Sequence, residues 1–187
     1  LNSPKSTNTA AEEQPTQSQS IEQENTSKPS RTLLTRAFTH TPSFEPWFVR
    51  YPEQENLLRD LYEGLTAYDS EGRIVPGIAE SWQTKDNKTW IFTLREGLRW
   101  SNGDPLVAQD VMLSWQALSQ SNSPLRSYLA YLNLKNAKGV LEKNKPFKSL
   151  GIYAENDRTL RIELDKPTPY LPEMLAHISL VPQYSDP

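Results

Sequence analysis

The fold of this chain is decided by one stretch: Ala79-Glu80-Ser81-Trp82, then Thr89-Trp90-Ile91-Phe92-Thr93-Leu94-Arg95, then Trp100-Ser101-Asn102-Gly103-Asp104-Pro105. Residues 89–95 alternate. Trp90, Phe92 and Leu94 share one face, with Ile91, Thr93 and Arg95 on the other, which is the signature of a half-buried strand. Asn102-Gly103 is a hairpin turn, because both residues tolerate positive φ. The period then changes. Val107, Val111, Trp115 and Leu118 recur at helical spacing, so residues 107–118 read as a helix with one apolar stripe. No Ser or Thr caps its start, and Asp104 is the cap if the helix begins early. Strand, turn and helix in this order read as a mixed α/β chain of the α+β kind.

Working outward toward the N-terminus, residues 65–68 read as a short strand before a turn at residues 69–72. Residues 53–63 read as a helix, with Glu53 and Glu55 in the first turn, where the helix dipole favours acids. Leu57, Leu61 and Leu65 stack on one face with Leu58 and Tyr62 beside them, and Gly64 is the expected stop. Pro42, Pro46 and Pro52 make residues 41–52 an extended loop. Leu33, Leu34, Ala37 and Phe38 suit a buried strand over residues 32–38. Toward the C-terminus, residues 128–134 and 137–141 are weaker helical pieces. Residues 158–164 alternate again, Pro167 to Pro169 open a short helix over residues 170–176, and residues 178–181 resemble a final strand.

The totals exclude several classes. Among 187 residues there is no cysteine, so disulfides, thiolate chemistry and Cys-ligated zinc are ruled out. The net charge of −3, with acids and bases interspersed, offers no overall attraction to nucleic acid or to an anionic membrane. No apolar run approaches the roughly 18 residues that a membrane span needs. No aromatic residue precedes Phe38, while all five Trp lie between Trp47 and Trp115. Residues 1–31, polar with isolated apolar side chains, are expected to be a disordered tether. The chain opens on Leu1 with no signal-peptide pattern, which suggests a processed or trimmed start.

Residues and motifs suited to catalysis or metal binding are scarce. His40 and His177 are far apart and neither has a partner at ligand spacing. No G-x-S-x-G, P-loop, G-x-G-x-x-G or H-E-x-x-H occurs. Glu12-Glu13 lies in the polar arm, and Asp104 with Asp110 flanks a helix start. We therefore expect no catalytic residue, no metal site, no cofactor and no enzyme. Trp82, Trp90, Trp100 and Trp115 belong to apolar faces or element ends and read as core. Trp47, Phe48 and Tyr51 sit in the Pro-rich loop without a periodic face, which makes them candidates for ligand contact.

The blocks quoted at the outset resemble the signature of the extracytoplasmic solute-binding proteins of the oligopeptide, dipeptide and nickel-binding family, which serve ABC importers. Ser43-Phe44-Glu45-Pro46, Arg59-Asp60-Leu61-Tyr62-Glu63-Gly64-Leu65, Ser127-Tyr128-Leu129 and Pro167-Thr168-Pro169-Tyr170 extend the likeness in order along the chain. The resemblance runs over residues 32–182 and points to the oligopeptide-binding branch.

What the resemblance implies is a two-lobed periplasmic binding protein architecture of the type II kind. Residues 32–61 would open the first lobe, residues 62–180 would form a small accessory domain, and residues 181–187 would start the return. The second lobe would be absent, making the chain a fragment. The implied activity is capture of oligopeptides outside the cytoplasm, in the periplasm or at the cell surface, for delivery to ABC permease subunits. A haem, a nickel chelate or a cationic peptide is the alternative solute, and a protein-interaction module without transport is the alternative class. Membrane contact would come only through a lipid anchor upstream, and the protein would be a monomer. The implied ligand residues are Trp47, Phe48, Arg50, Tyr51, Pro52, Leu125 and Tyr128. Arg50 falls where peptide-binding relatives place an acid at the peptide's N-terminal end. Pro52, or Tyr51 after a one-residue shift, falls where a backbone N–H pairs with the peptide. Leu125 replaces a ligand-contacting Tyr.

Overall fold

The computed structural model describes residues 44–184. The expected tether over residues 1–31, the expected strand over residues 32–38 and His40 lie outside the described residues. A 3₁₀ turn, Pro46–Phe48, leads into helix α1 (Pro52–Leu61) and a small hairpin of β1 (Thr66–Tyr68) and β2 (Ile74–Pro76). Strands β3 (Ala79–Thr84) and β4 (Thr89–Leu94) follow, then the long helix α2 (Ala108–Gln120). A 3₁₀ turn at Pro124–Ser127 precedes the short helices α3 (Tyr128–Tyr131) and α4 (Ala137–Leu141). After a turn at Phe147–Ser149 come β5 (Ile152–Asn156), β6 (Thr159–Glu163) and α5 (Leu171–Met174), and a last 3₁₀ turn spans Ile178–Leu180. The architecture is mixed α/β, as the strand and helix periods require.

The centre is an antiparallel sheet in the order β3-β4-β6-β5. The alternation of residues 89–95 sets its register. Trp82 pairs with Phe92, which pairs with Leu160, which pairs with Ala154, and the adjacent row runs Trp90, Ile162, Ile152. Both rows face inward. Phe92 lies between Trp82 and Trp90, ring centroids 6.1 and 6.2 Å away, in offset stacks that suit aromatic quadrupoles. Helix α2 covers this face with Val111, Trp115 and Leu118, all buried. Its N-terminus is capped from within: the Asp110 carboxylate accepts the Val107 N–H at 2.9 Å. Asp104, the expected cap, instead accepts from the Tyr184 hydroxyl at 2.9 Å.

Three local expectations are corrected. Helix α1 ends at Leu61, and Tyr62 is extended with φ −124° and ψ 149°. Leu65 is therefore not on the helix, Leu61 is exposed, and the buried face is Gln54 with Leu58. Gly64 is not a left-handed stop; it is small because a Cβ there would lie 2.9 Å from the Leu175 carbonyl oxygen. Residues 178–181 form a 3₁₀ turn rather than a strand, because the His177 ring caps the Ser179 N–H and Leu180 N–H closes on the His177 carbonyl at 3.0 Å. Trp100 is half-buried and meets Tyr184 edge-on at 5.4 Å, outside the main core. Leu58, Ile178 and Val181, with Val49 and Tyr62 packed beside them, form a second small apolar cluster.

Candidate functional site

Four of the seven ligand candidates meet in one place. Arg50, Tyr51, Pro52 and Leu125 line a cleft of about 210 Å³, together with Val49, Glu55, His177 and Ile178. The loop wall is built by the start of α1. Pro52 stands at a position where its missing N–H costs no helical hydrogen bond. The Tyr51 carbonyl accepts the Gln54 N–H at 3.0 Å, and the Gln54 side chain accepts the Arg50 N–H at 3.1 Å. This reciprocal closure fixes residues 50–54 and leaves the Arg50 side chain exposed.

Leu125 reaches this loop through a residue that sequence reading passed over. The buried Ser123 hydroxyl donates to the Trp47 carbonyl at 2.5 Å and accepts the Leu125 N–H at 3.0 Å. One oxygen thus pins two segments 76 residues apart in sequence.

His177 completes the cleft. Its Nδ1 accepts the Ser179 N–H at 3.2 Å and lies 2.8 Å from the Ser179 hydroxyl, which leaves the proton of the neutral ring on Nε2. The imidazole stacks on the Tyr128 ring with centroids 4.0 Å apart and planes at 18°. Tyr128 therefore backs the cleft through His177 rather than lining it, and its hydroxyl donates to the Met174 carbonyl at 3.2 Å. Burial pushes the Tyr128 hydroxyl up to about 12, so it stays protonated. Burial also lowers His177 below the ordinary imidazole value; the Glu55 carboxylate works against that shift and Arg59 with it.

With a folded-state pKa below the unfolded 6.5, the unfolded chain binds the proton first. The stability associated with the neutral ring is fully present above the unfolded value and is lost as pH falls through the folded one. We expect urea titrations to show stability decreasing from about pH 7 to pH 5, and less steeply in His177→Asn, whose side-chain oxygen can still accept the Ser179 N–H. Identical slopes in the two proteins would remove His177 as the cause.

Trp47 and Phe48 are elsewhere. They line a separate, more apolar cleft of about 320 Å³ with Leu113, Ser114 and Ala117 of α2 and with Gln183 and Tyr184. The Trp47 Nε1 is buried without a hydrogen-bond partner among the described residues. The structure therefore divides the candidates: four on one cleft, Tyr128 behind it, two on another.

Chemically, the first cleft offers a guanidinium, a carboxylate, an imidazole N–H and apolar walls. At about 210 Å³ it is smaller than the roughly 300–1,000 Å³ typical of small-molecule pockets. It suits one side chain or one terminal group of a longer ligand. Among the described residues no group of three His, Cys, Asp or Glu is placed to hold a metal ion. No described helix is long and apolar enough to cross a membrane.

The chain belongs to the bacterial extracellular solute-binding proteins of family 5, whose middle region matches residues 73–186. A putative binding protein of Haemophilus influenzae is 62% identical over 156 residues, covering 83% of this chain and 30% of that protein. The periplasmic oligopeptide-binding protein OppA of Salmonella typhimurium is 39% identical over 154 residues, covering 81% of this chain and 28% of its own length. Among solved structures, Haemophilus influenzae OppA in complex with the peptide RPPGFSPFR superposes with a TM-score of 0.72 at 40% identity, covering 75% of this chain and 28% of that one. The Escherichia coli murein tripeptide-binding protein MppA matches with the same TM-score at 35% identity, over the same shares of the two chains. The chain thus spans about 30% of the length of the curated relatives it matches.

Proposed function

We propose that this chain is part of a peptide-capturing protein that works outside the cytoplasm and hands its ligand to the membrane subunits of an ABC importer. The observation that carries this reading is the convergence of Arg50, Tyr51, Pro52 and Leu125 on one notch, in a chain whose fold matches OppA solved with a peptide. In this reading the described part of residues 32–61 belongs to the opening of the first lobe, residues 62–180 to the accessory domain and residues from 181 to the start of the return. In support, Val181 packs with Leu58 and Val49 in a small cluster, with Ile178 at the junction, separate from the core of the sheet. Trp47, Phe48 and Tyr128 are supporting residues in this reading, and Arg50, Tyr51, Pro52 and Leu125 face the ligand. The protein is a monomer and not an enzyme, and any covalent membrane anchor is a lipid.

Arg50 sets a preference. A peptide's terminal ammonium beside an exposed guanidinium meets like charge, while an acidic side chain or a carboxylate is attracted. The test uses the longer protein that contains this chain. Purified natively, it is expected to carry peptides visible by mass spectrometry, enriched in acidic residues. Arg50→Glu is expected to shift that population toward basic peptides. A protein that carries no peptide and shows no tryptophan fluorescence change with a peptide library would refute the reading. In this reading the described residues supply one wall of such a cleft. Residues 1–187 alone are expected to give no micromolar peptide binding by titration calorimetry, and tight binding there would refute the two-walled arrangement.

A further inference from the structure

One segment breaks the even mixing of charge along the chain. Residues 135–148 contain Lys135, Lys138, Lys143, Lys145 and Lys148 against the single acid Glu142, a balance of +4 within a chain of −3. The segment runs through α4 into the Phe147–Ser149 turn. Ala137 and Val140 anchor it, buried in the main core. Every residue from 142 to 148 is exposed.

The loop is held in one shape. The Gly139 carbonyl accepts the Asn144 and Lys145 N–H groups at 2.7 and 3.0 Å. The Asn136 side chain donates to the Ser149 carbonyl at 2.7 Å and accepts from Lys145 Nζ at 2.5 Å. Lys143, at φ 61°, reverses the backbone within it. Among the described residues, only Lys135 of the five is satisfied by an acid, through its pair with Glu163 at 2.7 Å. Among the described residues Lys138, Lys143 and Lys148 make no ion pair. Phe147, 37% exposed, stands between Pro146 and Lys148.

Three unpaired ammonium groups and an exposed ring on a closed loop match a surface that is both anionic and interfacial. Lysines near anionic headgroups each raise membrane affinity about fivefold. An aromatic side chain flanked by them sits at headgroup level with its apolar edge toward the acyl chains. A soluble acidic protein would use the charges but give the ring no such boundary. We propose that residues 135–148 are a docking surface for anionic phospholipid headgroups, with Lys138, Lys143, Lys145 and Lys148 over the phosphates and Phe147 at the interface. The whole-chain charge hides this surface, because the rest of the molecule is acidic.

Flotation of the full chain with vesicles tests it. Binding is expected to phosphatidylcholine vesicles containing phosphatidylglycerol, to weaken as salt is raised, and to be absent with phosphatidylcholine alone. Replacing Lys138, Lys143 and Lys148 together by Gln is expected to lower the affinity about 100-fold. The same three positions as Arg keep the charge and should keep the binding, which separates a charge effect from misfolding. Equal binding to neutral and anionic vesicles would overturn the proposal, as would an unchanged affinity in the triple Gln variant. Capture by soluble polyglutamate with no binding to the anionic vesicles would assign the surface to an acidic protein instead and would equally overturn it.

Discussion

Trp115→Ala is expected to lower the stability of the domain by about 3–5 kcal/mol, read as a fall in the urea midpoint at constant slope. Trp115 is 1% exposed and fills the space between α2 and the sheet. Its Nε1–H donates to the Leu180 carbonyl at 3.0 Å, across 65 residues. Removing the ring leaves a cavity that close-packed neighbours cannot collapse into, and it also orphans a buried carbonyl. Trp115→Phe keeps most of the volume but loses the donor and part of the ring, so about 1–3 kcal/mol is expected from the unsatisfied carbonyl together with the small cavity. Single domains have only about 5–15 kcal/mol in total, so the Ala variant should be largely unfolded in mild denaturant. Equal losses for Ala and Phe would show that the hydrogen bond, not the packing, dominates.

Gly77→Ala is expected to be comparably damaging for a different reason. A Cβ at this position would lie 2.3 Å from the Gly64 carbonyl oxygen and 2.9 Å from that of Leu65. Both are backbone atoms, and neither has a rotamer to move to. The same joint holds Gly77 N–H to Leu65 O at 3.1 Å and Ile78 N–H to Gly64 O at 2.9 Å. Relieving the clash strains or breaks these bonds, so a loss of about 3 kcal/mol is expected. Gly72→Ala is the control. It has open space around it but a φ of +76°, so only about 1–2 kcal/mol of conformational cost applies. Matching thermal shifts for the two variants would mean that the close approach at Gly77 is not what that glycine provides.

Residues whose burial is local were legible from sequence. Trp90, Phe92 and Leu94 alternate in sequence and are buried in β4, and Val111, Trp115 and Leu118 recur helically and are buried under α2. Strand β5 was not legible: of Ile152, Tyr153 and Ala154 only Ile152 is fully buried, and as an edge strand it needs little alternation. The α1 face was misread because Leu57, Leu58 and Leu61 suit more than one stripe. Contact with Ile178 and Val181 selects Leu58.

For the candidate site, the sequence together with the family resemblance named Arg50, Tyr51, Pro52 and Leu125 but gave no means of joining them. Ser123 and His177 do the joining, and nothing local marked either one. A serine in a loop and an isolated histidine look ordinary until the chain brings Trp47 and Tyr128 to them. By itself the sequence determined the strand and helix periods, the hairpin turn, the absence of thiol chemistry and the family blocks, since each depends on neighbours a few residues away. Only the tertiary structure decided that Trp47 and Phe48 leave the cleft while His177 enters it. That outcome depends on contacts between segments tens of residues apart, which no local period encodes.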